Sequence, residues 1–208
     1  MNLLQRFMRV FFDLLYHPFA FTYDLVAAIV SFGRWNDWVL SAIPLIEGTR
    51  ILELGHGSGH LQQALITRGL DSVAIDESAS MGRIAKRRIG SPHKLIRALA
   101  QNTPFASESF DNVISTFPSE YIFDPQTLSE AHRVLKKEGR LVVLLSAWPR
   151  NLLLGWLFKV TGQSPTETYE SIKLKIIERL DSVNFKIDLQ IVEVKSGNLL
   201  IVIAHKKG

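Results

Sequence analysis

The sequence contains no cysteine, which excludes disulfides, thiolate-bound zinc and a cysteine nucleophile. It also has no long uncharged apolar run. The first 35 residues are apolar, but Arg6, Arg9, Asp13, His17, Pro18 and Asp24 interrupt them, so no stretch approaches the roughly 20 residues that crossing a bilayer needs. No small-residue cleavage site follows a charged start and a pure apolar segment, which argues against a signal peptide. Together these absences predict a soluble, cytoplasmic chain. Concentrated charge is missing as well: the net charge is +4, with Lys and Arg spread over 83–88, 136–140 and 173–179. That distribution describes solvated helix faces better than a nucleic-acid footprint, and no stable nucleic-acid partner is expected.

What is present is globular. Hydrophobic residues make up 47% and charged residues 21% of 208, which suits a single domain with a sizeable core. Leu3, Leu4, Phe7, Val10, Phe11, Leu14 and Leu15 recur at helical spacing opposite Gln5, Arg6, Arg9 and Asp13, predicting an amphipathic helix that His17-Pro18 breaks. Further helices are predicted over 23–31 and 35–43. From Arg50 the pattern changes. Apolar runs at 50–54, 72–75, 94–99, 111–116 and 140–146 read as strands buried on both faces, with helices over 59–69, 78–89 and 125–137 between them. Such alternation predicts a parallel sheet covered on both sides. A helix over 165–183 follows, then β-like runs at 185–194 and 199–206 joined by so short a Gly/Asn turn that they must pair antiparallel.

The segment "ILELGHGSGH", Ile51 to His60, places Gly55, Gly57 and Gly59 at the handover from the first strand to the first helix. In an open parallel sheet ligands bind at the carboxyl ends of the strands, and the glycines are expected to give a ligand clearance to approach the main chain. A dinucleotide fingerprint would need glycine at 60, where His60 stands, and a phosphate-binding loop would need a Gly-Lys-Ser/Thr ending. Glu53 would face a pyrophosphate with like charge and suits a ligand carrying an amine. Asp76 ends the second strand beside the loop, where a carboxylate can accept both hydroxyls of a ribose.

These residues resemble the class I S-adenosylmethionine-dependent methyltransferases, in particular the small-molecule group that includes ubiquinone and menaquinone biosynthesis enzymes. "LELGHGSG" resembles the first motif and "AIDESASM" a D-x-S-x-x-M pattern; "PFASESFDNVIS" and "EAHRVLKKEGRLVV" resemble two further stretches in the same order. The resemblance implies a three-layer Rossmann-like fold: a mostly parallel seven-stranded sheet, an antiparallel C-terminal hairpin and N-terminal lid helices. It implies a single domain over 1–208, with a helical lid at 1–47, a cofactor-binding core at 48–208 and a substrate-side insertion at 147–164. The implied cofactor is S-adenosylmethionine, and no metal is implied. Gly55, His56, Gly57, Ser58 and Gly59 would hold its methionine moiety with Glu53 near the amine. Asp76 would hold the ribose and Met81 would pack against the adenine, with Tyr23, Glu77 and Ser115 as further cofactor-binding positions. Where the family has Asp-Ala after the third strand, this chain has Leu99 and Ala100, leaving the Ala100 amide and Gln101 to meet the adenine. Lys137 and Glu138 replace the family's Pro-Gly and are expected to alter only a turn.

Plainer roles stand beside these. Asp76 is also suited to capping the next helix, Glu53 to pairing with a Lys or Arg, Met81 to core packing and His56 to no role in binding. Methyl transfer from a sulfonium needs alignment more than acid–base help; Tyr16, His17, Tyr23, Glu120, Tyr121 and His132 are unranked candidates for a base. The apolar segment at 152–158 fits core packing or a hydrophobic acceptor collected at a membrane surface. The expected activity is methyl transfer to a small apolar or aromatic acceptor. The alternatives are an RNA methyltransferase and a non-catalytic binding protein of the same fold.

Overall fold

The computed structural model describes residues 31, 33–90, 94–149, 176–195 and 197–207. The helix expected at 3–15, residues 23–30 of the helix expected at 23–31, Tyr23, residues 150–164 of the expected insertion and residues 165–175 of the helix expected over 165–183 lie outside them. The first described helix, α1 (Trp35–Leu40), is followed by a 3-10 turn at Ile43–Leu45 with Pro44 in its first turn. The alternation then appears as expected: β1 (Arg50–Leu54), α2 (His60–Thr67), β2 (Asp71–Asp76), α3 (Ala79–Ile89), β3 (Leu95–Arg97), β4 (Phe110–Thr116), α4 (Pro125–Val134) and β5 (Leu135–Pro149). Residues 176–181 form the helix α5, and β6 (Phe185–Val194) and β7 (Gly197–Lys206) close the sheet.

The seven strands lie in the order β3-β2-β1-β4-β5-β7-β6. Neighbours among β1 to β5 are parallel, while β7 runs antiparallel to both β5 and β6. The order reverses direction at β1, whose neighbours β2 and β4 belong to the two halves of the sheet; that is where a crevice opens at the carboxyl ends. Buried side chains form two clusters, one on each face. Trp38, Val39, Leu61 and Leu65 from α1 and α2 cover one face. Leu128, Ala131 and Val134 from α4, with Ile176 and Leu180 from α5, cover the other. Strands between two such layers have no solvent face, so Leu141 to Leu144 are buried without a polar alternate.

Local chemistry sets the element ends. The Ser78 hydroxyl accepts the Met81 amide at 3.3 Å and caps α3, whose last turn carries Lys86, Arg87 and Arg88 where the helix dipole favours cations. Asp124 caps α4 through the Gln126 amide at 2.9 Å, with Pro125 at the first helical position. The sequence pattern carries α4 to 137, yet the helix stops at Val134 because Leu135 pairs with Phe110 and enters the sheet. The register between β4 and β5 shifts before Arg140 meets Asn112. Lys137 and Glu138 therefore lie within β5, and Glu138 holds φ +63, a backbone state that favours glycine. The replacement of glycine there has a conformational cost that an ordinary turn would not.

Candidate active site

The turn from β1 into α2 is built from three glycines at positive φ: Gly55 at +74, Gly57 at +50 and Gly59 at +86. The sequence suggests clearance for all three, but they answer to different neighbours. A Cβ on Gly55 would collide with the Tyr121 hydroxyl, and a Cβ on Gly59 would sit 2.9 Å from the Ala85 Cβ on α3. Of the three, only Gly57 would place a Cβ with nothing within 4 Å among the described residues. Gly55 and Gly59 are thus required by the protein's own packing, while Gly57 leaves bare main chain facing the crevice.

Two carboxylates flank that opening. Asp76 Oδ2 accepts the Gly57 amide at 2.9 Å and Oδ1 accepts the Ser78 amide at 2.8 Å. Helix capping falls to Ser78, so Asp76 braces the glycine turn and remains half-buried at the end of β2. Glu53 is 1% exposed, and its Oε2 has no hydrogen-bond partner among the described residues. Burial, helped by the nearby Asp76 carboxylate, pushes its carboxyl up to about 8. A buried acceptor left without a donor is costly, and such an orphan is the expected mark of a place where a ligand donor belongs.

The remaining predicted residues are distributed around this opening. His56 is buried, with Nδ1 2.8 Å from the Gly57 carbonyl, and Ser58 is buried in the turn. Met81 is buried in the first turn of α3 and Glu77 is exposed beside Asp76. Leu99, although apolar, is 52% exposed in a tight turn bridged to Asn102. Ala100 is half-buried, and Gln101 Nε2 donates to Asp124 Oδ2 at 3.1 Å. Ser115 is fully buried at the end of β4, where its hydroxyl donates to the Leu54 carbonyl at 2.7 Å. Among the described candidates for a base, Glu120 is exposed at the start of a 3-10 turn, and the Tyr121 hydroxyl is bonded to the Leu54 carbonyl. His132 packs edge-on against Phe185, and burial beside Lys206 depresses its protonation. It lies at the opposite end of the sheet from the glycine turn, because α4 runs from Gln101 and Asp124 down to the start of β5. Tyr16 and His17 lie outside the described residues.

One feature of the site has no counterpart in the sequence patterns. Phe117, directly after β4, holds φ +50, an outlier for so bulky a side chain. Its amide donates to the Leu144 carbonyl at 2.8 Å and its ring lies 4.4 Å from that of Trp35 and 6.3 Å from that of Trp38. The strain and the ring contact arise from residues about 80 positions apart in the chain, beyond what a local pattern reports. The two remaining family-like stretches have structural duties. Asp111 accepts the Thr49 and Arg50 amides at 3.0 and 2.9 Å and pairs with Lys136 at 2.6 Å, which joins the starts of β1 and β5. Glu130 pairs with Arg133 at 2.7 Å and accepts both the amide and the hydroxyl of Thr103.

A family model described as a methyltransferase domain matches residues 52–143. The chain is 33% identical over 150 residues to a demethylmenaquinone methyltransferase of Thermobifida fusca, covering 66% of this chain and 64% of that one. It is 30% identical over 148 residues to a ubiquinone/menaquinone biosynthesis C-methyltransferase of Geotalea uraniireducens, covering 65% and 63%. The chain thus spans less than two thirds of the length of these relatives. In fold it is similar to a solved S-adenosylmethionine-dependent methyltransferase of Thermotoga maritima, with a TM-score of 0.61 at 19% identity over 90% of this chain and 96% of that one. It is also similar to a Haemonchus contortus phosphoethanolamine N-methyltransferase solved with S-adenosylhomocysteine, with a TM-score of 0.59 at 16% identity over 85% of this chain and 53% of that one.

Proposed function

We propose that the chain is a class I S-adenosylmethionine-dependent methyltransferase, similar to the ubiquinone and menaquinone group, and that it transfers a methyl group to a small apolar or aromatic acceptor. The observation that carries the proposal is the orphaned Glu53 oxygen beside the open side of Gly57. A buried carboxyl oxygen waiting for a donor fits the amine of the methionine moiety, and a bare main chain fits close approach by that moiety. When bound, S-adenosylmethionine supplies a methyl on a positively charged sulfur, ready for in-line displacement.

The protein's own contribution is placement. Asp76 is held in position by two amides and has lone pairs left over, since an ionised carboxylate offers about four acceptor sites; these suit the ribose hydroxyls. Exposed Leu99 provides an apolar surface for the adenine, and the Ala100 amide with Gln101 supplies polar partners in place of the family's aspartate. On the acceptor side, the Trp35–Phe117 pair at the carboxyl end of β4 forms an aromatic wall suited to a flat ring. Relatives that carry the name demethylmenaquinone methyltransferase make a quinol-type ring the first acceptor to test. Alignment of such a ring with the methyl accounts for most of the acceleration, and the Tyr121 and Glu120 geometries favour no proton acceptor. A cysteine-free chain suits the reducing cytoplasm, and an acceptor of this class would be reached at a membrane surface. Among the described residues no helix is long and apolar enough to cross a membrane.

Incubation with methyl-labelled S-adenosylmethionine and reduced demethylmenaquinone is expected to label the quinol, and calorimetry is expected to show S-adenosylhomocysteine binding. Binding without transfer to any apolar ring would return the chain to the non-catalytic alternative. No binding at all would remove the methyltransferase proposal.

A further inference from the structure

The pairing of β1 with β4 stops at Glu53 opposite Ile114, although β1 continues to Leu54 and β4 to Thr116. The two strands part at the point where the sheet changes direction, and the Leu54 carbonyl is left without a ladder partner on that side. Two hydroxyls take it up. Ser115 Oγ lies 2.7 Å and Tyr121 Oη 2.9 Å from the Leu54 oxygen, and the two hydroxyls are 2.9 Å apart. Ser115 is fully buried and belongs to β4; Tyr121 belongs to the 3-10 turn at Glu120–Phe123. The same Tyr121 hydroxyl fills the space that a side chain on residue 55 would need. It therefore touches both the last carbonyl of β1 and the first glycine of the turn.

We infer that Tyr121 is a positioning residue: its hydroxyl, with that of Ser115, wedges β1 and β4 apart and fixes where the glycine turn leaves the strand. This rests on the cofactor reading above, because the setting matters only if the turn receives a ligand. Two hydroxyl protons are shared among these three oxygen–oxygen contacts. The members of this cluster hold one another in place whichever edge lacks the proton. Gly55 to Gly57 starts from this fixed point, and the open side of Gly57 and the orphaned Glu53 oxygen are set relative to it. Tyr121 acts through the main chain, so its phenol is not the base of the reaction.

The test compares S-adenosylhomocysteine affinity with stability. Tyr121→Phe keeps the ring and leaves Ser115 to satisfy the Leu54 carbonyl, so the melting temperature is expected to stay within about 3 °C while affinity falls roughly 5- to 10-fold, the effect of about one hydrogen bond. An affinity within twofold of the wild type would overturn the inference. A second variant holds if Tyr121→Phe proves unstable. Gly55→Ala in the otherwise unchanged chain pushes a Cβ onto the Tyr121 hydroxyl and is expected to weaken S-adenosylhomocysteine binding at least fivefold; an affinity within twofold of the wild type would overturn the inference. If the wild type itself fails to bind S-adenosylhomocysteine, the cofactor reading fails first, which separates the two conclusions.

Discussion

Two glutamates in this protein are displaced in opposite directions, and the contrast shows how a binding site differs from a structural joint. Glu53 at the glycine turn is buried with an oxygen lacking a partner among the described residues, and its carboxyl is pushed up to about 8. Glu130 on α4 is gripped by Arg133 and by the amide and hydroxyl of Thr103, and these donors, Arg133 foremost, hold it down at about 2. Arg133 in turn reaches the Phe105 carbonyl at 2.7 Å, so the whole loop is clamped to the helix. At the joint both Glu130 oxygens are met by donors. At the crevice an acceptor has been left in surplus.

The largest expected effect tests that surplus through pH. Glu53 binds its proton more tightly in the folded than in the unfolded protein, so its stabilising share is present below about pH 4.5 and is lost as pH rises towards 8. Without ligand, stability is expected to fall over this window by up to about 1.4 kcal/mol per pH unit, measured by denaturant titration; Glu53→Gln should flatten the slope. An unchanged slope would mean that Glu53 has found a partner. A ligand ammonium reverses the preference, so binding of S-adenosylhomocysteine near pH 7 is expected to release a proton, seen as a dependence of the calorimetric heat on buffer. Glu130 predicts the mirror image, with stability retained above about pH 4.5 and lost as pH falls towards 2.

Next in size is Asp76→Ala, expected to weaken cofactor binding by roughly 10- to 100-fold, the value of one or two charge-assisted bonds. Calorimetry checks it, and unchanged affinity would remove Asp76 from the site. Arg133→Ala is the counterpart at the joint. It is expected to lower stability by about 1–2 kcal/mol and to leave S-adenosylhomocysteine affinity unaltered; a matching loss of affinity would erase the distinction between the two regions. The smallest effect is a gain. Glu138→Gly removes a left-handed non-glycine residue and is expected to raise stability by up to about 1 kcal/mol, read as a higher denaturation midpoint.

The two kinds of region were unequally legible in the sequence. Strands β1 and β6 match their predicted runs to the residue: β1 is buried from Ile51 to Leu54 and stops at the glycine turn, while the edge strand β6 alternates in exposure and is bounded by the short turn into β7. The helix expected to reach 137 ends at Val134 instead, because pairing of Leu135 with Phe110, a contact across 25 positions, overrides local helical period. The strand expected over 94–99 shrinks to 95–97, since Leu99 turns back onto Asn102. Within the site, the glycine turn and its carboxylates stood out as types in sequence, but the differing reasons for Gly55, Gly57 and Gly59 did not. They depend on Tyr121 and Ala85, which arrive from elsewhere in the chain. The Trp35–Phe117 contact and the hydroxyl cluster at Leu54 escaped for the same reason.

Strand β7 lies between β5 and β6 yet is synthesised after both. Until residues 197–206 emerge from the ribosome, β5 presents one naked flank of unpaired amides and carbonyls, and β6 has nothing to pair with. The nascent sheet must therefore wait half-zipped, with an aggregation-prone border open to other chains, and a ribosome stalled just short of Gly197 would leave the glycine turn already encoded on a sheet that cannot close.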